Sequence, residues 1–321
     1  MLSDSLRFVQ GAVARKDFIP ALTHFMIEDG TIRGFNGVLA LCSPIDCDIN
    51  CKPFAPALKK AIENCRETVK LKMTPAGRLS ISSGKFNARI DCITGDTPHA
   101  LPEGEHVVMD GEALIDALEA LDPFIGDDAS RPWSSSVLLA GKSAFATNNV
   151  TLAEYWMGFD VPRPIGLPAQ TVREILRIND VPIDFQLTDT SITFHYEGNR
   201  WLRSQLFSVA EWPDLTKVLD KESNPVEIDP EIFSGLETLK PFVDKLGRVI
   251  FKGDGTITTH KDEAEGASYE VPGFNSTGIY SLEMLMLLED RVEMIDWSLY
   301  PKPCLFFGQR LRGAIIGMRD A

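Results

Sequence analysis

The chain has 321 residues, of which 44% are hydrophobic and 24% are charged, as in an ordinary globular protein. Its formal net charge of −14 argues at first sight against binding to nucleic acid, whose backbone is also anionic. The N-terminus lacks the apolar core of a signal peptide and no apolar run approaches the ~18 residues of a membrane helix, so we expect a cytoplasmic protein without membrane contact.

The first third of the chain alternates helices with groups of short strands. Leu6, Val9 and Val13 recur at helical spacing and predict a helix near the start, and a clearer amphipathic pattern predicts a second helix over 53–65. The strands that alternating apolar residues predict in this third are 18–27, 31–42, 69–73, 78–82 and 86–93.

The middle third repeats this order of elements. An apolar stripe predicts an acidic helix from Asp110 to Leu121, and a second amphipathic helix is predicted over 168–178. The strands predicted in this third are 137–146, 150–157, 183–187, 191–196 and 201–207.

The last third again combines two helices with short strands. The helices are predicted near 229–239, where Pro241 ends the pattern, and over 279–288. The strands predicted in this third are 248–251, 256–260, 267–271, 292–297, 304–307 and 313–318. The fold class is therefore α+β.

Short phrases recur between the thirds. The Asp-Gly-Thr-Ile segment at 29–32 returns at 254–257, and the Asn-Gly-Val segment at 36–38 is echoed by Asn-Asn-Val at 148–150. Three copies in 321 residues would each have about 107 residues. A unit of that length is too long for a solenoid, so the recurrence predicts three similar domains in tandem. We place these domains at 1–102, 103–214 and 215–321.

The charge is distributed unevenly along the chain. Residues 1–102 carry 13 Lys or Arg against 10 Asp or Glu, residues 103–216 carry 7 against 18, and residues 217–321 carry 12 against 18. An acidic protein can still bind a duplex if its basic side chains are gathered on one concave face.

The cysteines and histidines give little indication of a metal site or of catalysis. Cys42, Cys47 and Cys51 cluster, but without CxxC spacing, so we interpret them as reduced, partly buried thiols and keep a metal site as the less favoured alternative. The five histidines fall in different segments, and His195 is interpreted as a structural residue of a strand. No P-loop, GxSxG or HExxH motif occurs, so we expect no enzyme, no cofactor and no metal.

Four segments resemble the bacterial sliding clamp, the β subunit of DNA polymerase III. Residues 167–176 resemble its "PRKAVxEL" helix, 206–215 its "LxxGRFPDY" segment, 274–285 its "FNxxYLxDxL" helix, and 316–319 its closing "MPMR". Their order and spacing fit one another, which is more specific than any single match. The resemblance implies three tandem clamp-type domains, with helices lining an inner face and antiparallel sheets outside.

The sequence also departs from the family pattern. The "TDGHRL" segment of the second domain stands here at 147–152 and keeps only Thr147 and Leu152, and the closing segment lacks its proline. Such departures are typical of a divergent member, for example a virus-encoded one, whose preference among partner peptides can differ from that of the family.

The resemblance implies a processivity factor that forms a homodimeric ring around double-stranded DNA. Its inner wall would bind phosphates without reading bases, because a sequence preference would stop the sliding. The candidate DNA-facing residues are Lys52, Lys59, Lys60, Arg66, Arg173, Arg177, Arg15 and Lys16. The alternative for each is a solvated helix face, and the acidic helix 110–121 does not suit a wall that faces DNA.

The resemblance further implies an apolar groove between the second and third domains that binds short linear peptides of the DNA polymerase and the clamp loader. The residues at matching positions are Thr147, Leu152, Pro213, Val218, Ile316 and Met318. Leu152 and Val218 are equally well interpreted as core residues. The alternative function is an adaptor or decoy of clamp fold that binds such peptides without encircling DNA.

Overall fold

The computed structural model describes residues 2–14, 16–210, 212–261 and 265–319. Contacts divide the chain into two compact units, one formed by Met1–Ile115 with Gln170–Leu206 and the other by Asp116–Ala169 with Phe207–Ala321. Each unit therefore takes part of its sequence from the predicted middle domain. Within the described ranges, no helix is long and apolar enough to cross a membrane.

The described residues of the first third form two α-helices and six strands. They are α1 (Leu2–Val9), β1 (Met26–Glu28), β2 (Thr31–Phe35), β3 (Leu39–Pro44), α2 (Ala55–Glu63), β4 (Lys70–Met73), β5 (Leu79–Ser83) and β6 (Phe86–Ile90). The strand predicted over 18–27 is wrong in its first half, where Pro20–Thr23 forms a 3₁₀ helix. Pro20 stands at the first position of that helix, where its missing N–H is not needed.

In the middle third, the residues that the structure describes form two α-helices and eight strands. They are β7 (Glu105–Val108), α3 (Gly111–Leu121), β8 (Ser136–Ala140), β9 (Ser143–Thr147), β10 (Thr151–Trp156), β11 (Ile165–Pro168), α4 (Ala169–Ile178), β12 (Asp184–Leu187), β13 (Ser191–Tyr196) and β14 (Arg200–Gln205). The strand predicted over 137–146 is a hairpin of β8 and β9, which turns at Gly141 with φ of +57°. The sequence did not predict β7 or β11.

Three α-helices and eight strands are formed by the described part of the last third. They are α5 (Thr216–Leu219), β15 (Val226–Glu227), α6 (Glu231–Leu239), β16 (Arg248–Lys252), β17 (Thr256–Thr258), β18 (Ser268–Glu270), β19 (Thr277–Ser281), α7 (Leu282–Met286), β20 (Met294–Ile295), β21 (Cys304–Phe307) and β22 (Leu311–Ile315). The helix predicted over 279–288 begins only at Leu282, because Ile279 lies opposite Ile250 in the ladder of β19 and β16. Periodicity alone does not separate a short buried strand from a buried helix segment.

The first unit is built on a seven-stranded antiparallel sheet with the order β1-β2-β3-β14-β13-β12-β7, beside a three-stranded sheet β4-β5-β6. Strand β3 of the first third pairs with β14 of the middle third, so this sheet continues across the predicted border at 102. Phe8 of α1 packs edge-to-face on Tyr196 of β13, with ring centroids 5.4 Å apart. This contact seats α1 on the sheet.

The second unit contains an eight-stranded sheet, β11-β8-β9-β10-β22-β21-β20-β15, and a four-stranded sheet, β18-β17-β16-β19. Strand β10 of the middle third pairs with β22 of the last third. Phe251, Tyr280 and Trp297 form an aromatic cluster in its core, with centroids 5.2 to 5.5 Å apart. Because both large sheets cross a predicted border, the three-domain division remains a prediction about the repeat.

The Asn phrases at 36–38 and 148–150 form equivalent turns. Asn36 Oδ1 accepts hydrogen bonds from the backbone N–H groups of Val38 and Leu39, at 3.0 and 2.8 Å. Asn148 Oδ1 accepts from those of Val150 and Thr151, at 3.0 and 2.7 Å. Each asparagine closes a tight connection between two antiparallel strands through its own side chain. The echo between 36–38 and 148–150 is thus a shared local structure.

Candidate partner-binding groove and basic face

A groove of about 260 Å³ opens in the second unit where the β9–β10 turn, the end of β22 and the chain around α5 meet. Its lining residues are Arg131, Trp133, Thr147, Asn149, Val150, Thr151, Leu152, Pro213, Asp214, Leu215, Val218, Pro303, Ala314 and Ile316. The structure thus brings together five of the six residues predicted for the groove, from three segments of the chain between positions 147 and 316.

Met318 is the predicted groove residue that is not part of this lining. Its backbone N–H donates to Ile279 O at 2.6 Å, and its carbonyl accepts from the Tyr300 hydroxyl at 3.0 Å. These two hydrogen bonds hold the backbone at Met318 beside Ile279 of β19 and Tyr300.

The β9–β10 turn shapes one side of the groove. The Thr147 hydroxyl donates to Thr151 O at 2.6 Å, and Asn148 closes the same turn through the hydrogen bonds described above. The turn sets the register of β10, in which Leu152 lies opposite Ala314 of β22. Local side-chain hydrogen bonds therefore fix where Leu152 enters the groove.

The floor of the groove is apolar and well packed. Leu152, Leu219, Leu305 and Ala314 form a buried cluster on which the partly buried Leu215 and Val218 pack. Ile316 stands above this floor and is 45% exposed. A firm apolar floor with an exposed aliphatic side chain at its edge is suited to receive an apolar side chain of a ligand.

The rim carries charges of both signs. Arg131 Nη1 donates to Asn149 Oδ1 at 2.9 Å, which places its guanidinium at the edge. Asp214 accepts from the Thr216 hydroxyl at 2.6 Å and pairs with Lys217 at 3.2 Å, and these contacts hold the pKa of the Asp214 carboxyl below its usual value. Among the described residues, the rim thus carries the Arg131 guanidinium and the Asp214 carboxylate, which is already paired with Lys217.

Sequence reasoning missed Arg131 and Trp133 on this rim. Both lie at the 3₁₀ helix Pro132–Ser135, and Trp133 packs on Trp212 with centroids 5.2 Å apart. The only signal in the sequence was the pair of tryptophans, each next to a proline, and nothing in it indicated that they would meet.

Three of the predicted DNA-facing residues come together in the first unit. Lys59 and Lys60 of α2 and Arg177 of α4 line one open cavity of about 810 Å³. Lys60 is exposed and Lys59 half-buried, as expected for neighbours on a helix that faces solvent on one side. Glu63 lines the same cavity, so the face carries one carboxylate among its bases.

The other predicted bases lie elsewhere in the first unit. Lys52 was predicted to lie on the polar face of the second helix, but it precedes α2, which begins at Ala55. Its ammonium donates a hydrogen bond to Gly95 O, which is a structural contact. Arg66 is exposed beside a cavity that it shares with the carboxyl residues Asp46, Asp48, Glu63 and Glu67. Arg173 is exposed on α4 and Lys16 on the segment after α1, whereas Arg15 lies outside the described residues.

In the part of the chain that the structure describes, the clustered cysteines do not bring three ligand atoms within 4.8 Å of one another. Cys42 and Cys51 are buried and Cys47 is half-buried, all as free thiols. Burial raises the pKa of the Cys51 thiol to about 12, with Cys92 and Cys47 nearby adding to the effect. Such a thiol stays protonated at neutral pH and is a poor nucleophile and metal ligand.

No protein-family model and no curated protein matches the sequence. Solved structures match over almost the whole chain. The β subunit of the DNA polymerase of Streptococcus pyogenes gives a TM-score of 0.86 at 16% identity, covering 99% of this chain and 98% of that one. The DNA polymerase sliding clamp of Bacillus subtilis gives 0.83 at 16% identity, covering 100% and 97%.

A third match is the sliding clamp of Bartonella birtlesii bound to griselimycin, with a TM-score of 0.84 at 15% identity and coverage of 99% and 97%. At such identities a likeness establishes the fold, and the agreement extends from one end of the chain to the other. The expected α+β clamp architecture is therefore confirmed: this chain has the fold of bacterial DNA polymerase sliding clamps.

Proposed function

We propose that this protein is a DNA sliding clamp, a processivity factor that encircles double-stranded DNA and tethers a DNA polymerase, with no catalysis of its own. The observation that carries the proposal is the match to polymerase sliding clamps over 99% or more of the chain. Coverage matters here because a clamp needs its full set of domains to surround a duplex. Such a protein works beside DNA, in the cytoplasm of a bacterial cell.

The groove of the second unit is the proposed site for short peptides of the polymerase and the clamp loader. Its apolar floor around Leu152 and Val218 and the exposed Ile316 support this assignment. A short extended segment with one or two apolar anchors suits a groove of this size. A sliding clamp of Bartonella birtlesii has been solved bound to griselimycin. We propose that this chain also binds griselimycin, in this groove, which makes griselimycin a practical probe.

Lys59 and Lys60 are the proposed core of the DNA-facing surface, with Lys16 and Arg173 as further contacts. The two lysines occupy successive positions of α2 beside a wide cavity, where they can attract phosphates from a distance. A lysine ammonium on a flexible stem binds phosphate without fixing a geometry, which suits a protein that must slide.

Closure of the ring is proposed through head-to-tail association of two chains, each with clamp domains at 1–102, 103–214 and 215–321. A cyclic dimer is the commonest closed symmetric assembly, and six repeated domains would then surround the duplex. Negative-stain images of the purified protein test this directly: six-lobed closed rings are expected, and isolated three-lobed arcs would contradict the dimeric closure.

The decisive experiment measures retention on DNA. The protein is loaded onto nicked circular DNA with a clamp loader, unbound protein is removed, and one half of the sample is linearised by a restriction enzyme. A topological clamp stays on the circle and runs off the linear form at moderate salt. Equal retention on both forms, or none on either by a protein that loader and polymerase bind, would contradict the encircling function.

A clamp-fold adaptor that binds partner peptides without encircling DNA is the second candidate. This candidate is favoured because fewer of the predicted cations are available to bind DNA: the Arg177 guanidinium contacts protein groups, and Arg66 lies among carboxylates. An adaptor binds griselimycin in the groove but is not retained on circular DNA, whereas a clamp does both.

A further inference from the structure

His106, Asp184 and His195 form a cluster that the clamp function does not use. They lie on the neighbouring strands β7, β12 and β13, where Asp184 is opposite His195 and Gln186 is opposite His106. Residues that face each other across a ladder, and residues two apart on one strand, share a face of the sheet. The three side chains therefore project from the same face, and one ligand atom of each lies within 4.8 Å of the others.

One oxygen of the cluster has no donor. Asp184 Oδ1 is buried from solvent and accepts no hydrogen bond from the described residues. His106 Nδ1 lies 3.5 Å from it, beyond the roughly 2.7–3.2 Å of an N–H···O hydrogen bond. A buried carboxylate oxygen without a donor is unfavourable, and an ion is one of the few ways to satisfy it.

We propose that His106, Asp184 and His195 bind a divalent transition-metal ion of the zinc class. Two imidazole nitrogens and a carboxylate oxygen are donors that Zn²⁺ accepts. Bonds of about 2.0–2.2 Å at a tetrahedral centre place ligand atoms about 3.3–3.6 Å apart, close to the 3.5 Å between His106 Nδ1 and Asp184 Oδ1. Three protein ligands leave a fourth position for water.

The surroundings of His195 keep it in a form that can bind metal. Gln186 Oε1 lies 3.0 Å from His195 Nε2, so the amide can accept one ring proton and leave the other nitrogen with its lone pair. A hydrogen bond of this kind from an outer partner is usual for a metal-binding histidine.

The cluster is open to an ion from solvent, since 63% of the His106 side chain and 31% of the Asp184 side chain are exposed. Among the described strands, β7 lies at the end of the seven-stranded sheet, next to β12. A metal held by β7, β12 and β13 together would fasten this end strand to the sheet. The site is independent of the proposed clamp function and departs from the expectation of no metal and a purely structural His195.

The test uses the full-length protein without a histidine tag, stripped with a chelator and kept reduced with a phosphine. Zinc binding is measured by titration calorimetry for the wild type, His106→Gln, His195→Gln and the control His99→Gln, whose ring is exposed outside the cluster. We expect one zinc per chain in the wild type and the control. Binding should weaken by at least about tenfold in the other two variants, because even an outer-sphere partner contributes about that much.

Cobalt spectra identify the ligands. The Co²⁺ complex should show the absorption of a tetrahedral site with nitrogen and oxygen ligands, lost in His106→Gln. His106 stands on the exposed face of a terminal strand, so this variant should fold, and its melting temperature without metal checks that. No zinc binding by the wild type, unchanged binding in both cluster variants, or a thiolate charge-transfer band that assigns the metal to cysteine would each overturn the proposal.

Discussion

Arg177 and Glu174, nearly one helical turn apart on α4, form a two-pronged ion pair in which Nη2 lies 2.7 Å from Oε1 and Nε 2.8 Å from Oε2. The same guanidinium donates to the carbonyls of Arg7 and Phe8, each at 2.8 Å. These are carbonyls of the last turn of α1, which the helix itself does not satisfy. Arg177 therefore fastens the end of α1 to α4, a structural task that sequence reasoning did not foresee.

Replacing Arg177 by alanine should destabilise the first unit. The Glu174 carboxylate, with only 8% of its side chain exposed, would lose its partner, and two helix carbonyls would lose their donor. Because about a third of Arg177 remains in contact with water, we expect a loss of about 2–3 kcal/mol, below the range for a fully buried pair. Urea unfolding of Arg177→Ala measures it.

The double variant Glu174→Gln/Arg177→Ala separates the cost of leaving the Glu174 charge unpaired from the cost of losing the hydrogen bonds to the α1 carbonyls. It should be more stable than Arg177→Ala alone, because no buried charge is then left without a partner. If Arg177→Ala were as stable as the wild type, these contacts would not hold the guanidinium, and Arg177 could face DNA as the sequence analysis predicted.

Asn148→Ala should weaken both the fold and the groove. Its Oδ1 accepts from two backbone N–H groups and from the Thr151 hydroxyl at 3.0 Å, so the variant should cost about 1–2 kcal/mol and loosen the turn beside Leu152. Calorimetric titration should show griselimycin binding several-fold more weakly.

Asn36 supplies a matched control. Asn36→Ala removes the equivalent turn in the first unit, and should cost a similar free energy of unfolding while leaving griselimycin affinity unchanged. Asn148→Asp keeps the acceptor oxygen and should restore most of the affinity. If both alanine variants weaken binding equally, the effect is one of general stability and not of the groove.

The edge of the groove can be tested with a charge. Ile316→Asp places a carboxylate beside the apolar floor, and burying it under a ligand should lower griselimycin affinity by at least about tenfold, since about 1.4 kcal/mol is sufficient for that. Leu246→Asp is the control, because Leu246 is also an exposed aliphatic residue of the second unit and lies outside the groove. Unchanged affinity in Ile316→Asp would place the ligand elsewhere.

The sequence predicted most helices and strands because their apolar spacing is local. It predicted the groove through matched motifs, and five of those residues meet in the structure. Met318 was predicted for the groove but does not line it, because hydrogen bonds to Ile279 and Tyr300 fix the backbone at Met318. No local sequence pattern encodes these contacts.

Long-range pairing explains the other differences. Arg177 meets carbonyls about 170 positions away in the chain, so its helix face alone could not reveal its partners. The cluster of His106 and His195 depends on β7, a four-residue strand too short to recognise, and on a register that only the folded sheet defines. Side chains on strands that are distant in the sequence meet only in the folded protein, so their contacts produce no regular spacing in the sequence.

Lys59 and Lys60 provide the sharpest test of a DNA-facing surface. Each phosphate contact releases counterions and contributes about −0.9 to the slope of log affinity against log salt, so Lys59→Ala/Lys60→Ala should reduce the steepness by up to about 2 per chain. Anisotropy of a labelled short duplex, measured across a salt series, gives the slope.

Two comparisons make that measurement specific. Lys85→Ala/Lys252→Ala removes the same charge from exposed positions outside the cavity and should leave the slope nearly unchanged. Glu63→Gln removes the carboxylate that shares the cavity with the lysines and should strengthen binding, because it no longer repels phosphate. Equal slopes in the two double-lysine variants would mean that net charge alone governs DNA affinity, and the surface around α2 would then not be the wall that faces the duplex.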